Sequence, residues 1–310
     1  MRPALTPRHA ERVVLPWVGR YAVEPLLRSL AAHAVPGLES TDLVAGTHTR
    51  VVRAPGGPAV VTVGFPRARD AGAPQGERSR VEGAVTLTLD LAAPGDLAVV
   101  QRVVRRWLAL DVDTGPAETH LAAHDRLRPL VRERPGLRVT GCVDGFEQAV
   151  LTVLGQQVSL AAARTFAGRL VAALGDPAPQ GRTAFPCAQR LAALEVETLR
   201  ATVGLTRSRA RTVVGLAVAC AEGLDLGPDA DPVEAAAGLG AVAGVGPWTV
   251  DYLRLRALGD VDAFPAGDLV LRRALGAGTT AEVEHLSQAW RPWRAFAALH
   301  LWHGNAYGAV

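Results

Sequence analysis

Apolar and polar residues alternate along the first third of the chain, and the pattern becomes helical after residue 115. The run Thr86-Leu87-Thr88-Leu89 shows the alternation most clearly, because every second position is apolar. A period of two predicts a strand with one buried face. We expect an antiparallel sheet with strands at 47–52, 59–65 and 84–91, flanked by helices at 23–35 and 97–110. The polar stretch 67–80, which contains Gly and Pro, is expected to be a loop.

After residue 115, Ala- and Leu-rich segments are separated by short breaks of Gly and Pro, which is typical of consecutive helices. The expected helices lie at 117–132, 145–154, 159–174, 187–194, 196–203, 207–222, 232–239, 247–257, 267–275, 281–289 and 293–304. The fold class is therefore mainly α, with an N-terminal α+β domain at 1–115 and an all-helical region at 116–310. The 310 residues match the length of about two domains.

All 33 basic side chains are arginine, and the formal net charge is +3. A coding preference for Arg explains this composition, but the chemical consequence holds whatever its origin. Enzymes that form a Schiff base with a sugar need an amine. The chain has no lysine and so offers no side-chain amine for that reaction.

Three cysteines, Cys142, Cys187 and Cys220, are far apart in the sequence and form no C-x-x-C pair. This spacing argues against a zinc site and against an iron–sulfur cluster, and favours inert thiols. No signal-peptide pattern is present, and no apolar run reaches the roughly 18 to 20 residues that span a bilayer. We expect a protein of the reducing cytoplasm that does not contact membranes.

The most informative segment runs from 244 to 268. It opens with Gly-Val-Gly-Pro, where glycine permits a tight turn and Pro247 suits the first turn of a helix. The unpaired N–H groups at such a helix start form an anion site. A duplex phosphate can bind there, which positions DNA without reading its sequence.

This segment, together with 135–157 and 290–302, resembles the helix-hairpin-helix DNA glycosylases, and more narrowly the bacterial 3-methyladenine DNA glycosylase II family. The resemblance spans most of the chain and implies that fold, with the helix-hairpin-helix at about 239–257. It implies a monomer that acts on double-stranded DNA containing damaged bases. Gly244, Val245, Gly246 and Thr249 would contact that DNA.

Asp268 lies 22 residues after Gly246, at the family's catalytic position. Breaking an N-glycosidic bond moves the sugar toward an oxocarbenium ion, which a fixed carboxylate stabilises. One carboxylate suffices for an alkylated purine, because that base is already cationic and departs neutral. Asp is also a preferred helix N-cap, and the two roles are compatible.

The expected walls of the base pocket are Trp248, Tyr252 and Trp302, with Leu269 beside the catalyst. Trp248 and Tyr252 are four residues apart and so share a helix face, where a flipped cationic base can stack. The alternative is that these rings are ordinary core residues. In related bifunctional enzymes the Schiff-base lysine stands at the position of Trp248, so the resemblance implies hydrolysis without lyase activity.

Gln156 and Gln157 lie in a break between two predicted helices, where the family carries residues that fill the gap left by the extruded nucleotide. A family member has leucine where this chain has Gln157, and a plain helix-linking turn is the alternative. The resemblance also implies a monovalent cation bound by backbone carbonyls of Gly240, Val242 and Val245. No other cofactor is expected.

The sequence therefore indicates a monofunctional DNA glycosylase that hydrolyses alkylated bases, N3- and N7-alkylated purines such as 3-methyladenine, in base excision repair. One alternative is a glycosylase of the same fold for uracil, deaminated purines or bulky adducts. Another is a DNA-damage binding protein that does not cut. Asp268 argues against the second alternative, because a pure binder has no use for a carboxylate that repels phosphate.

Overall fold

A computed structural model describes residues 8–66 and 83–305, so the loop expected at 67–80 lies outside the described residues. The N-terminal sheet is antiparallel throughout, as expected, and its strand order is β1-β5-β4-β3-β2. Its strands are β1 (His9–Pro16), β2 (Glu39–Asp42), β3 (Thr47–Ala54), β4 (Gly57–Gly64) and β5 (Ala84–Leu91). Sequence patterns did not predict β1 and β2. Both are edge strands, and β2 is wholly polar, so neither carries the alternation of a half-buried strand.

Helices make up most of the remaining described chain. They are α1 (Val23–His33), α2 (Leu97–Trp107), α3 (Gly115–Ala122), α4 (Arg128–Glu133), α5 (Gly145–Gly155), α6 (Leu160–Leu174), α7 (Ala188–Ala192), α8 (Val196–Val203), α9 (Arg207–Ala221), α10 (Pro232–Ala241), α11 (Pro247–Arg256), α12 (Leu269–Leu275), α13 (Thr280–Ser287) and α14 (Arg294–Asn305), with a two-stranded β6 (Asp176–Pro177) and β7 (Thr183–Ala184) before α7. In the ranges 8–66 and 83–305, no helix has the length and apolar character to cross a membrane.

The prediction of a single helix at 117–132 is wrong, because α3 ends at Ala122 and α4 begins at Arg128. Pro129 sits in the first turn of α4, where its missing N–H costs nothing, whereas inside one long helix it would break a backbone bond. The side chain of Arg128 caps the freed end of α3 by donating to the Ala122 carbonyl at 2.9 Å.

The sheet separates two apolar cores. Val51 of β3 packs with Val150 of α5 in the larger helical core, whereas Val52, on the opposite face, packs with Val100 of α2. A third core joins α3 and α4 to the C-terminal helices, for example through Leu121 and Phe296. Each face of β3 is therefore buried against a different layer, which fixes the register of the strand.

A buried charge cluster connects the sheet to the helical region. The guanidinium of Arg50 on β3 lies between Glu39 of β2, at 3.3 Å, and Glu147 of α5, and all three side chains are at most one-tenth exposed. Burial would raise the pKa of Glu39, but Arg50 and His48 outweigh it and hold that pKa at about 2. Burial raises the pKa of Glu147 to about 7 despite the adjacent guanidinium. One cation thus faces two carboxyl groups, and the pKa of Glu39 is the lower of the two.

Replacing Arg50 with Met should destabilise the fold by about 3 to 5 kcal/mol, because two buried carboxylates lose the guanidinium that lies between them. Urea unfolding at pH 7 measures the change. Arg28→Met is the matched control, since Arg28 pairs with Glu24 on the exposed face of α1. That exposed pair should contribute less than about 1 kcal/mol. Equal losses in the two variants would contradict a structural role for the cluster.

Candidate active site

The hairpin between α10 and α11 is built on one conformationally required glycine. Gly244 has φ +90°, and a Cβ added there would lie 2.0 Å from Oγ1 of Thr212 on α9. Gly246 differs, because its φ is −98° and an added Cβ would meet nothing within 4 Å. The left-handed turn expected from the sequence thus applies to Gly244, while Gly246 keeps the start of α11 open.

The N-terminus of α11 carries no cap. Gly246 is the N-cap residue and has no side chain, and Pro247 follows it in the first turn. The first N–H groups of a helix have no intrahelical acceptor. No side chain caps those of α11, as an anion site there would require.

Gln156 links the end of α5 to this hairpin. Its Nε2 donates to Oγ1 of Thr249 at 3.0 Å and approaches the Gly244 carbonyl at 3.4 Å. Arg209 donates in turn to the Gln156 carbonyl. Gln156 therefore holds the hairpin in place, whereas the neighbouring Gln157 is exposed and adopts φ +53°.

Asp268 caps α12 and also meets two indoles. Its Oδ1 accepts from the backbone N–H groups of Val270 at 2.9 Å and Leu271 at 3.0 Å. Nε1 of Trp302 donates to the same oxygen at 3.2 Å, and Nε1 of Trp248 donates to Oδ2 at 3.1 Å. Four donors from three helices therefore fix one half-buried carboxylate. Asp268 thus caps α12 and accepts hydrogen bonds from both indoles at the same time.

The three aromatic residues expected in the pocket are brought together. Trp248 and Tyr252 stack with ring centroids 5.3 Å apart and planes 15° apart. Trp302 meets Tyr252 edge-on at 6.1 Å. A ligand cannot insert between Trp248 and Tyr252, because these rings already contact each other, so it would pack against the surface that the group presents to the cavity.

Asp268 and these rings line a cavity of about 430 Å³ between α11, α14, α5 and the N-terminal sheet. That volume lies within the range of small-molecule sites. The prediction that Leu269 lines the base pocket is wrong: Leu269 is 61% exposed, and Val270 lines the wall instead.

Sequence reasoning missed the deeper part of the cavity. The lining there includes Arg50, Glu147 and Trp107 at the charge cluster, and Arg256 with Thr140 on the opposite side. Arg256 continues the four-residue spacing of Trp248 and Tyr252 along α11, so that spacing could have revealed it. The others are distant in sequence and share no periodic signal.

Histidines near the cavity are neutral at physiological pH. Burial lowers the pKa of His300 and of His303 to about 4, and nearby positive groups add to the effect. The part of the chain that the structure describes holds no group of three or more His, Cys, Asp or Glu residues placed to bind a metal.

In the hairpin, the Val242 carbonyl accepts one hydrogen bond, from Val245 N at 3.0 Å.

Two family models cover nearly the whole of this architecture. The AlkA N-terminal domain matches residues 12–144, and the HhH-GPD superfamily of base excision DNA repair proteins matches residues 150–293. The chain belongs to the AlkA family of helix-hairpin-helix base excision repair proteins. The second model includes the hairpin, α11 and Asp268.

Similar proteins have been characterised by sequence and by structure. DNA-3-methyladenine glycosylase 2 of Escherichia coli is 33% identical over 226 residues, which cover 72% of this chain and 78% of that protein. A probable bifunctional transcriptional activator/DNA repair enzyme AlkA of Mycobacterium tuberculosis is 38% identical over 93% of this chain, which spans only 56% of that relative. The 3-methyladenine DNA glycosylase structure from Archaeoglobus fulgidus matches with a TM-score of 0.74 at 20% identity, over 97% of this chain and 99% of its own, so it supports the fold.

Proposed function

We propose that this chain is a monofunctional DNA glycosylase that removes N3- and N7-alkylated purines, such as 3-methyladenine, from double-stranded DNA in base excision repair. The observation that carries the proposal is the Asp268 carboxylate, which two indole N–H groups fix at the wall of a cavity lined by aromatic rings. Relatives named as 3-methyladenine DNA glycosylases support the substrate class.

DNA would dock through the hairpin. A phosphate would accept hydrogen bonds from the N–H groups at the start of α11, near Gly244, Val245, Gly246 and Thr249, because no side chain occupies that site. The exposed, left-handed Gln157 would fill the gap left by the flipped nucleotide. Such contacts position the duplex without reading its sequence.

A monovalent cation at the hairpin belongs to the same proposal. The carbonyls of Gly240, Val242 and Val245 would hold it, and it would bridge the hairpin to a phosphate. The Val242 oxygen carries one hydrogen bond and retains its second lone pair, so the donor set fits an oxygen-coordinated ion.

In the reaction, the flipped base packs against Tyr252 and Trp302 while its sugar lies next to Asp268. The C1′–N bond breaks, its electron pair leaves with the base, and the sugar gains positive charge. At about 4 Å and an effective dielectric constant near 20, the carboxylate stabilises that charge by about 4 kcal/mol, equivalent to roughly three powers of ten in rate. Water then adds its hydroxyl to C1′ and releases its proton to solvent.

Hydrolysis without strand cleavage follows from the side chains available. The chain has no lysine, and Trp248 donates a hydrogen bond to Asp268 where a Schiff-base amine would stand in bifunctional relatives. An indole nitrogen is a donor only and cannot attack the sugar. We further propose that the protein acts as a monomer in the cytoplasm, where its three free thiols remain reduced.

Replacing Asp268 with Asn should lower base release by about two to four powers of ten. Asn keeps an oxygen for the amides of α12, but it lacks the charge, and its NH₂ group would face the Trp248 donor. Single-turnover release of free base from a methylated duplex, detected by mass spectrometry, measures the effect. Asp231→Asn is the matched control, because Asp231 caps α10 through two backbone N–H groups in the same way, away from the cavity.

Equal activity in wild type and Asp268→Asn would remove this carboxylate from the mechanism. Absence of base release from wild-type protein would favour the damage-binding alternative.

Replacing Gly246 with Asp should preserve stability and weaken duplex binding by about ten- to a hundredfold. Asp is a preferred N-cap, so it would occupy the N–H groups of α11 and repel a phosphate there. Fluorescence anisotropy at one fixed salt concentration measures binding to damaged and undamaged duplexes. Gly246→Asn is the control, because it caps the helix without the charge and should bind more tightly than Gly246→Asp. A loss confined to damaged DNA would exclude a phosphate-binding role.

The product should be an abasic strand that is still intact. Borohydride should trap no covalent protein–DNA adduct, because hydrolysis supported by Asp268 involves no Schiff base. Strand breaks should appear on denaturing gels only after alkali or a separate endonuclease is added. An efficiently trapped adduct would overturn the monofunctional assignment.

A further inference from the structure

Arg256 stands out among the cations that line the cavity. Arg50 is held by two carboxylates, and Arg164 donates to the Ala34 carbonyl. Arg256 makes one hydrogen bond, from Nη1 to Oγ1 of Thr140 at 2.8 Å, and its buried Nε has no partner. Within the described residues, no carboxylate lies within ion-pair distance of Arg256.

The position of Arg256 relates it to the proposed reaction. Trp248, Tyr252 and Arg256 are spaced by four residues, so they follow one face of α11, and all three line the cavity. Asp268 binds the first of them, and Arg256 lies about 12 Å further along the helix axis.

Asp268 thus lies beside the first turn of α11 and Arg256 lies in its last turn, and both line the cavity. A nucleotide whose sugar lies beside Asp268 would direct the far edge of its base toward Arg256. An alkylated purine departs as a neutral molecule and gains nothing from a guanidinium. An uncharged purine departs with the electron pair of the C1′–N9 bond, and a ring carbonyl oxygen carries much of the resulting negative charge.

We propose that Arg256 is a second catalytic group, which binds the carbonyl oxygen of an uncharged purine and stabilises the negative charge that develops as the base leaves. The inference rests on the proposed function and extends it to leaving groups that carry no positive charge of their own. Arginine stays protonated and supplies hydrogen bonds only. Water gives its hydroxyl to C1′, and its proton neutralises the released base, so the step balances.

The place of Arg256 in the cavity lining and its single hydrogen bond, to Thr140, give the proposal its geometric basis. The N–H groups of a guanidinium form a rigid fork that matches neighbouring acceptors. The carbonyl oxygen and the adjacent ring nitrogen of a purine form such a pair of acceptors, which is the pairing that arginine makes with guanine in DNA grooves. Thr140 accepts from Nη1, and no hydrogen bond from Nη2 to a described residue is present.

The experiment compares single-turnover base release from two duplexes of one sequence, one carrying 7-methylguanine and one carrying hypoxanthine. Replacing Arg256 with Met should lower hypoxanthine release about a hundredfold or more, because removing one donor from a developing anion costs that much. Release of the cationic 7-methylguanine should change less than about threefold. Arg254→Met is the matched control, since Arg254 lies on the same helix but pairs with Asp251 and Asp260 outside the cavity.

Thr140→Val provides a second variant if Arg256→Met fails to fold. It removes the hydrogen bond that orients the guanidinium and should lower hypoxanthine release selectively, by about tenfold. Equal losses on both duplexes, or no loss on either, would overturn the proposal. Wild-type protein that releases 7-methylguanine but no hypoxanthine would also overturn it and leave the proposed function intact. Release of neither base would contradict the proposed function itself.

Discussion

The buried charge of Arg50 is the constraint on which the shape of the cavity depends. Its guanidinium has a carboxylate on each side, Glu39 from the sheet and Glu147 from α5. Removing a charge from water is tolerated only when its partners are held at hydrogen-bond distance. The ion pairs therefore fix the sheet against α5. Because the same three side chains also line the cavity, electrostatic matching between the two regions sets the position of its deep wall.

Helix α11 connects the hairpin to the cavity. Its N-terminus carries no side-chain cap, while Trp248, Tyr252 and Arg256 line the cavity. Leu253 and Leu255 are buried on other sides and prevent the helix from turning about its axis. Under the proposed function, the helical rise would set the distance from the bound phosphate to the base pocket, so a duplex docked at the hairpin would bring a flipped nucleotide to a fixed depth.

The sequence predicted those features whose residues are close together or follow a period. The hairpin, the pair Trp248 and Tyr252, and the three predicted strands of the antiparallel sheet are of this kind. The ion pair of Arg50 with Glu147 joins residues 97 apart, and the bond of Trp302 to Asp268 joins residues 34 apart. Such contacts leave no local pattern, because each partner alone resembles a surface charge or a core aromatic.

Helix termini account for the other differences. A proline can start a helix as well as break one, so the division between α3 and α4 depends on a turn that periodicity does not register. After the N-cap Asp268, Val270 lines the cavity and Leu269 is exposed, and no sequence period distinguishes these two positions. The side-chain amide of Gln156, just after α5, donates to Thr249 and so connects the end of α5 to the hairpin.

The hydrogen bonds of Asp268 are distributed unevenly, and this asymmetry bears on the chemistry. A carboxylate has about four lone-pair positions, two on each oxygen. Among the described residues, Oδ1 accepts from Val270, Leu271 and Trp302, and Oδ2 accepts from Trp248. Capping therefore engages mainly Oδ1 and holds the carboxylate against rotation. In the proposed reaction, the less engaged Oδ2 would be the oxygen that faces the sugar cation and binds the attacking water.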